Sequence, residues 1–503
     1  MLILSNSQLG LGAVLSYATS IISLLLGLFY TPWMIDVIGA DDYGLYTLAV
    51  SVINMFLIDL GLNTAISRFL SKCYAEGDID KANAYLSSAY VMFSLLAAAV
   101  SIALIVVFVF IDEIYTGLTA EQLNTFKPLY VVVAMYSVIS LPFMSQTSIL
   151  VANEQFVAFK LCALLQKFFV TALTIVCLLM GQGVFSIVAA TAVGNLVFIL
   201  IRSIIIRKST QVNVKLRKAN FAMIRELLGF SGWVAISDMG ARSLWAVTPT
   251  ILGIFSNSFA IAMFGLASQL EGYVYTVADA ISGLLMPSVT RALHSERSGE
   301  KLSALMIKVG RIQLFVIGII EVCFFCFGSE FIHLWLGDGY DDLWLCTQLV
   351  IAPHIILLPQ TAGSVALTAG NHVKSKASIV LIEAVLSLIL CVFLCRPFGA
   401  LGACVSVGAA FAFNALATNV LFVRKLDVNV SKYYRDTFLP WFAASVPTVI
   451  LGSILPHVIS ASGWLGLITC GIIAAFFYAV IWWAFVSNEY ERNLAFSFFR
   501  KNK

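Results

Sequence analysis

Seven ionisable residues stand inside long apolar runs of this 503-residue chain: Asp59, Asp238, Arg242, Glu271, Asp279, Glu321 and Glu383. At the centre of a bilayer a charge costs about 2.5–3.5 kcal/mol on insertion scales, so each is a candidate for handling an ion or a substrate. Asp238 and Arg242 are four residues apart, which on a helix puts them on one face and within reach of each other. The arginine offers a planar fork suited to phosphate or carboxylate oxygens, and the aspartate would hold it while the site is empty. The same spacing also fits a structural ion pair that locks the helix. Glu271 and Asp279 are about two turns apart and share a stripe with Tyr275 between them. Buried carboxylates can exchange protons near neutral pH, as a proton-coupled carrier requires. Contact with the hydroxyls of a polar substrate, or pairing within the protein, would employ them equally well. Asp59, in Asp59-Leu-Gly-Leu62, belongs to the same proton-handling set or joins helix ends through hydrogen bonds. Glu321 and Glu383 have no partner visible in the sequence.

Other chemistries lack their residue patterns. The five histidines (His294, His333, His354, His372 and His457) are far apart and show no metal-ligand spacing. The ten cysteines are scattered, and the close pair Cys323 and Cys326 sits in an apolar run that reads as core packing. No metal and no cofactor is expected. A net charge of +3 is too small to imply a nucleic-acid partner.

The elements that must position these groups follow from composition. Hydrophobic residues make up 60% of the chain and charged residues 11%, against about 25% charged in soluble domains, so the solvent for most of this surface is lipid. A hydrocarbon core about 30 Å thick needs roughly 20 apolar residues per helix. Fourteen such segments are expected, at 11–33, 43–66, 84–111, 126–150, 158–180, 184–206, 227–253, 258–286, 306–328, 345–369, 376–395, 399–423, 437–457 and 464–487. The first residues carry no basic cluster or small-residue cleavage site, so the first segment is expected to remain as a helix.

Charge placement sets the orientation. With the N-terminus inside, 27 of the 30 basic residues fall in inner loops or the tail, Lys160 and Lys167 among them. Lys127 and Arg396 fall outside, and Arg242 is left within a segment. That one-sidedness is the positive-inside signature, and it places both termini in the cytoplasm of a polytopic, all-α protein. The outer loops are short and acidic and read as a solvated rim. Arg68, Arg202, Arg207 and Lys208 on the inner side satisfy the same rule, and would also attract an anionic lipid carrier from the inner leaflet.

An internal duplication organises the segments. Thr31-Pro32 recurs as Thr248-Pro249 and Leu141-Pro142 as Leu358-Pro359, both 217 residues later. A shift of six segments preserves orientation, so the expectation is two pseudo-symmetric six-helix lobes, related by an axis along the membrane normal, plus two C-terminal helices. The domain boundaries follow: an N-lobe at 1–206, a basic cytoplasmic linker at 207–226, a C-lobe at 227–423, two further helices at 437–487, and a cytoplasmic tail at 488–503.

The stretches Tyr30-Thr-Pro-Trp-Met-Ile-Asp-Val-Ile-Gly39, Tyr43-Gly-Leu-Tyr46, Asp59-Leu-Gly-Leu62 and Ala65-Ile-Ser-Arg68-Phe69 resemble the opening signature of the bacterial polysaccharide (O-antigen) flippase family. Phe230-Ser-Gly-Trp233 and Leu285-Met-Pro287 continue the likeness. That family is a branch of the multidrug/oligosaccharidyl-lipid/polysaccharide exporter superfamily. The resemblance implies a two-lobed alternating-access carrier in the bacterial inner membrane. It would move an undecaprenyl-pyrophosphate-linked oligosaccharide unit from the cytoplasmic to the periplasmic leaflet, as a monomer beside glycosyltransferases and a glycan polymerase.

Arg242, Asp238, Glu271 and Arg68 are then the candidate substrate-binding residues, and Glu271, Asp279 and Asp59 the candidate proton-coupling residues. Two other carriers share the expected architecture. A cation-coupled drug or metabolite exporter would favour an acidic residue in the first segment, which has none between Leu11 and Trp33. A peptidoglycan-precursor flippase would favour arginines in the first two segments, and the first 66 residues contain none. A membrane enzyme of glycan assembly needs a sizeable outer loop for its chemistry, and none is long enough.

Overall fold

The computed structural model describes residues 6–57, 61–279, 285–459 and 463–493. Among these residues all regular structure is helical, without a β-strand. The main helices are α1 (Asn6–Ile38), α2 (Ala40–Phe56), α3 (Leu62–Glu76), α4 (Ile79–Val109), α5 (Ala120–Ser140), α6 (Phe156–Leu179), α7 (Val184–Ser209), α8 (Phe221–Ala246), α9 (Thr248–Phe255), α10 (Ser258–Asp279), α11 (Ser298–Leu336), α12 (Asp342–Ile351), α13 (Val373–Leu426), α14 (Val430–Val458) and α15 (Gly463–Ile481). Ten helical stretches among the described residues are long and apolar enough to cross a membrane. Helices suit that solvent because every backbone N–H and C=O within them finds its partner inside the same segment.

Helix ends follow from local chemistry. Asp78 caps α4 by accepting from the Lys81 amide at 2.9 Å. Thr119 and Gln122 exchange hydrogen bonds across the first turn of α5 as a capping box. Asn220 caps α8 through the Ala222 amide at 2.9 Å. Arg207 and Lys208 lie in the last turn of α7, where the helix dipole favours cations.

Several segments are not the uninterrupted rods expected from hydropathy. The 43–66 run is divided, with α2 ending at Phe56 and α3 starting at Leu62. The 227–253 run is divided at Val247, because Pro249 cannot donate to the preceding turn and opens α9 instead. The separate runs expected at 376–395 and 399–423, by contrast, are met as the two arms of α13, with the break at Gly399, where φ is 52°. Only glycine adopts that conformation cheaply. The Leu141-Pro142 and Leu358-Pro359 pairs share one local structure, each opening a short 3₁₀ turn, Leu141–Phe143 and Leu358–Gln360. The Thr-Pro pairs differ, since Pro32 lies within α1 and Pro249 in the first turn of α9.

The chain divides into two compact units, residues 1–265 with 391–400 and residues 266–390 with 401–503. In the first unit, Leu62, Ile66, Leu70, Phe93, Leu150 and Leu227 form the core, and α8 packs on α2, α3 and α4. Lipid is as apolar as leucine, so close backbone approach rather than hydrophobic exclusion holds such helices together. Gly44, the glycine of Tyr43-Gly-Leu-Tyr46, shows this directly: a Cβ there would lie 2.0 Å from the Ser258 carbonyl oxygen. In the second unit, α11 packs along α14 and α15 around Met306, Leu314, Phe422, Tyr433, Trp441 and Tyr478.

Candidate functional site

In the second unit, α10 carries Glu271 into the interior, where it is 6% exposed. Its partner is His354, 2% exposed, at the start of the short helix His354–Leu357, with Nε2 3.2 Å from Glu271 Oε1. The other ring nitrogen, Nδ1, lies 3.0 Å from the Val350 carbonyl oxygen. A carbonyl can only accept, so Nδ1 carries a hydrogen. Nε2 and the carboxyl oxygen then share a single proton, held either as carboxylic acid against neutral imidazole or as carboxylate against imidazolium. Both forms are neutral overall. Removing the proton sets two lone pairs against each other, and adding one sets two donors against each other. Phe411 presses on the imidazole at 4.4 Å between ring centres, and Tyr275 stands edge-on at 6.5 Å. Val274, Ala278, Ile317, Ile351 and Leu358 cluster beside them.

Asp279 does not share this environment; it is exposed at the last described residue of α10. Of the two carboxylates without a visible partner, Glu383 accepts from Asn414 Nδ2 at 2.6 Å. Asn414 in turn accepts from Thr418 at 2.9 Å. Glu321 is buried, and its Oε2 has no hydrogen-bond partner among the described residues. Arg311, one of the 27 basic residues counted to the inner loops and tail, is buried and forms a bidentate pair with Glu491. It also donates to the Val486 carbonyl at 2.7 Å and the Asp436 carbonyl at 3.1 Å, which fastens the chain after α15 to α11 and α14.

The first unit holds the remaining described candidates. Asp238 is half-buried and Arg242 exposed on α8, and Arg68 is exposed on α3, which packs against α8. Asp59 lies outside the described residues. Arg242 is not alone as a cation at depth. Lys167 is exposed eleven residues into α6, about 16 Å from its start at 1.5 Å per residue. Arg202 is half-buried on α7, with Nε donating to the Phe198 carbonyl at 3.2 Å. A side-chain hydrogen bond from Gln166 to Asn195 joins α6 to α7. Two cavities lie in this unit. An apolar one of about 550 Å³ runs between α1 and α6. A polar one of about 320 Å³ is lined by Lys72, Lys81, Tyr85 and Glu226, with the Tyr85 hydroxyl donating to Glu226 at 2.5 Å.

Sequence reading missed His354 and Lys167 for different reasons. His354 lies next to Pro353 in an apolar run, and the rule that selected the seven intramembrane charges also covers histidine. Testing the histidines only for metal spacing hid it. Lys167 fell to the inner loops because positive-inside counting rewards that assignment, although the 158–180 segment already enclosed it. Among the described residues no group of three or more His, Cys, Asp or Glu is placed to hold a metal.

Comparison with known proteins gives a consistent picture. A family model described as polysaccharide biosynthesis protein matches residues 11–295, more than half of the chain. The chain is 20% identical over 497 residues to "Uncharacterized membrane protein EpsK" of Bacillus subtilis, covering 96% of each. It is 24% identical over 255 residues to "Probable low-salt glycan biosynthesis flippase Agl15" of Haloferax volcanii, covering 49% of this chain and 51% of the relative. Among solved structures it is similar to the lipid II flippase MurJ in an inward closed conformation, with a TM-score of 0.69 at 16% identity over 93% of this chain and 99% of that one.

Proposed function

This chain belongs to the polysaccharide biosynthesis protein family, and from that premise we propose that it is a flippase for lipid-linked glycans. The observation that carries the reading is the family match on a chain with ten membrane-length helices. A relative named as a glycan biosynthesis flippase and a fold shared with a lipid II flippase support it. The substrate is an undecaprenyl-pyrophosphate-linked oligosaccharide unit, carried from the cytoplasmic to the periplasmic leaflet of a bacterial inner membrane by alternating access. The protein works as a monomer, with membrane lipids around it and glycosyltransferases and a polymerase as partners.

The proposed architecture has fourteen membrane segments and both ends in the cytoplasm, with an N-lobe at 1–206, a linker at 207–226, a C-lobe at 227–423, helices at 437–487 and a tail from 488. Support for the duplication comes from one contact in particular. Asp41 and Ser258 are 217 residues apart, the offset of the repeated prolines, and the Ser258 hydroxyl donates to the Asp41 carboxylate. Residues equivalent under a two-fold axis meet only beside that axis.

Arg242, held by Asp238, receives the pyrophosphate or an acidic sugar, and Arg68 gathers the anionic carrier at the inner surface. Glu271 couples transport to protons through the proton it shares with His354, with Asp279 and Asp59 in supporting proton roles.

The test is a cell in which the gene is deleted. Lipid-linked oligosaccharide should accumulate in the cytoplasmic leaflet while surface polysaccharide disappears, and the parent gene should restore both. The double variant Asp238→Asn with Arg242→Gln should insert normally and fail to restore export. Full surface polysaccharide in the deletion strain would reject the flippase reading, and full restoration by the double variant would reject the anion role of Arg242.

A further inference from the structure

The apolar cavity between α1 and α6 and the lysines beside it form a pattern that the proposed anion site on α8 does not use. Leu25, Phe29 and Trp33 supply the α1 wall, and Phe168, Thr171 and Ile175 the α6 wall. The α1 residues recur every fourth position, the spacing of one helix stripe. On α6, Lys167 immediately precedes Phe168 and stands one turn below Thr171. Lys160 lies seven residues earlier, two turns down the same side of the helix.

The two lysines therefore climb one flank of α6, at about 6 Å and about 16 Å from its first residue, and end beside the apolar groove. Neither takes part in any ion pair among the described residues. Lys160 packs its ammonium 5.3 Å from the centre of the Phe159 ring, and Lys167 is exposed. A lysine at that depth is costly unless something compensates it, so an unpaired one marks a site for an anion. The volume, about 550 Å³, falls in the range of about 300–1,000 Å³ usual for ligand pockets.

A cation at the mouth of an apolar groove is complementary to one kind of molecule, an anion carried on a hydrocarbon chain. Resting on the flippase reading, we propose that the α1–α6 groove holds the first isoprene units of the lipid carrier while its phosphates pass from Lys160 to Lys167. The chain stays in an apolar surface and the diphosphate stays within reach of an ammonium at either level. The headgroup thus reaches membrane depth with part of its charge offset.

The experiment uses the full chain in phosphatidylcholine nanodiscs and tritiated geranylgeranyl diphosphate as probe. Lys167→Gln removes one charge-assisted phosphate contact and should weaken binding roughly tenfold, whereas Lys167→Arg should bind as the parent does. Leu25→Trp fills the groove and should weaken the diphosphate probe by a similar factor, while leaving inorganic pyrophosphate binding unchanged. Geranylgeraniol, which lacks the phosphates, should be indifferent to Lys167→Gln. Parent-like affinity for the probe in both Lys167→Gln and Leu25→Trp would overturn the proposal. So would displacement of the probe by phosphatidylglycerol at equal concentration, which would assign the groove to ordinary anionic lipid. The two readings fail separately: the groove falls if these variants bind as the parent does while the deletion strain still strands its glycan lipid. The flippase reading falls if the deletion strain exports normally, whatever the probe does.

Discussion

In the first unit, α6 and α7 carry Lys167 and Arg202 well inside apolar helices; in the second, α10, α11 and α13 carry Glu271, Glu321 and Glu383. The sign of these charges differs, and so does their accessibility. Lys167 and Arg242 are exposed and Arg202 is half-buried, whereas all three glutamates are buried. Glu271 and Glu383 face protein groups that donate or share a hydrogen, His354 and Asn414. Among the described intramembrane candidates, Asp238, half-buried on α8, is the acidic exception in the first unit. An accessible cation can take up and release an external anion, while a buried carboxyl with an internal partner can exchange little more than a proton. On the proposed function, the accessible cations of the first unit would meet the anionic substrate and the buried carboxyls of the second would handle protons.

The largest effect is expected at Arg311, a buried cation of the second unit with four hydrogen bonds to its neighbours. Arg311→Ala leaves Glu491 uncompensated and should destabilise the protein by about 3–5 kcal/mol. Chemical denaturation in detergent, read by tryptophan fluorescence, measures this, and a loss below 1 kcal/mol would show that the pair is not structural. Gly44→Ala in the first unit drives a methyl into the Ser258 carbonyl and should cost about 1–3 kcal/mol in the same assay. An unchanged midpoint would mean that α2 and α10 can separate freely.

The proton role is sharpened by two substitutions at one pair. Glu271→Gln and His354→Asn should each abolish the acceleration of transport by a pH gradient while leaving the protein at normal abundance. Gradient dependence that survives in both would make the pair purely structural. The smallest effect is expected at Glu383. Its Gln variant keeps an oxygen to accept from Asn414, so stability should change by less than about 1 kcal/mol. A larger loss would show that the ionised carboxylate itself is required there.

How much of this was legible beforehand depended on the range of the interactions. Helix positions could be read because an apolar run of membrane length is a local property. The expected segments already part between 395 and 399, as α13 does at Gly399, whereas across Val247 hydropathy averages over single residues and joins what Pro249 separates. Glu271 was recognisable by its cost in lipid. Its partner lies 83 residues away, and nothing local to α10 announces it. The Arg311–Glu491 pair, 180 residues apart, was equally hidden, and positive-inside counting placed Arg311 in a loop when packing buries it.

Reconstitution measures the movement of a glycan lipid across a bilayer directly. The purified chain would be placed in vesicles whose lipid-linked oligosaccharide starts in the inner leaflet, and an external glycosidase would report what reaches the outer one. A flippase gives time-dependent cleavage of substrate initially protected, faster with a pH gradient, and none above background in protein-free vesicles. Substrate that stays protected in vesicles containing folded protein, with and without the gradient, would contradict the flippase reading.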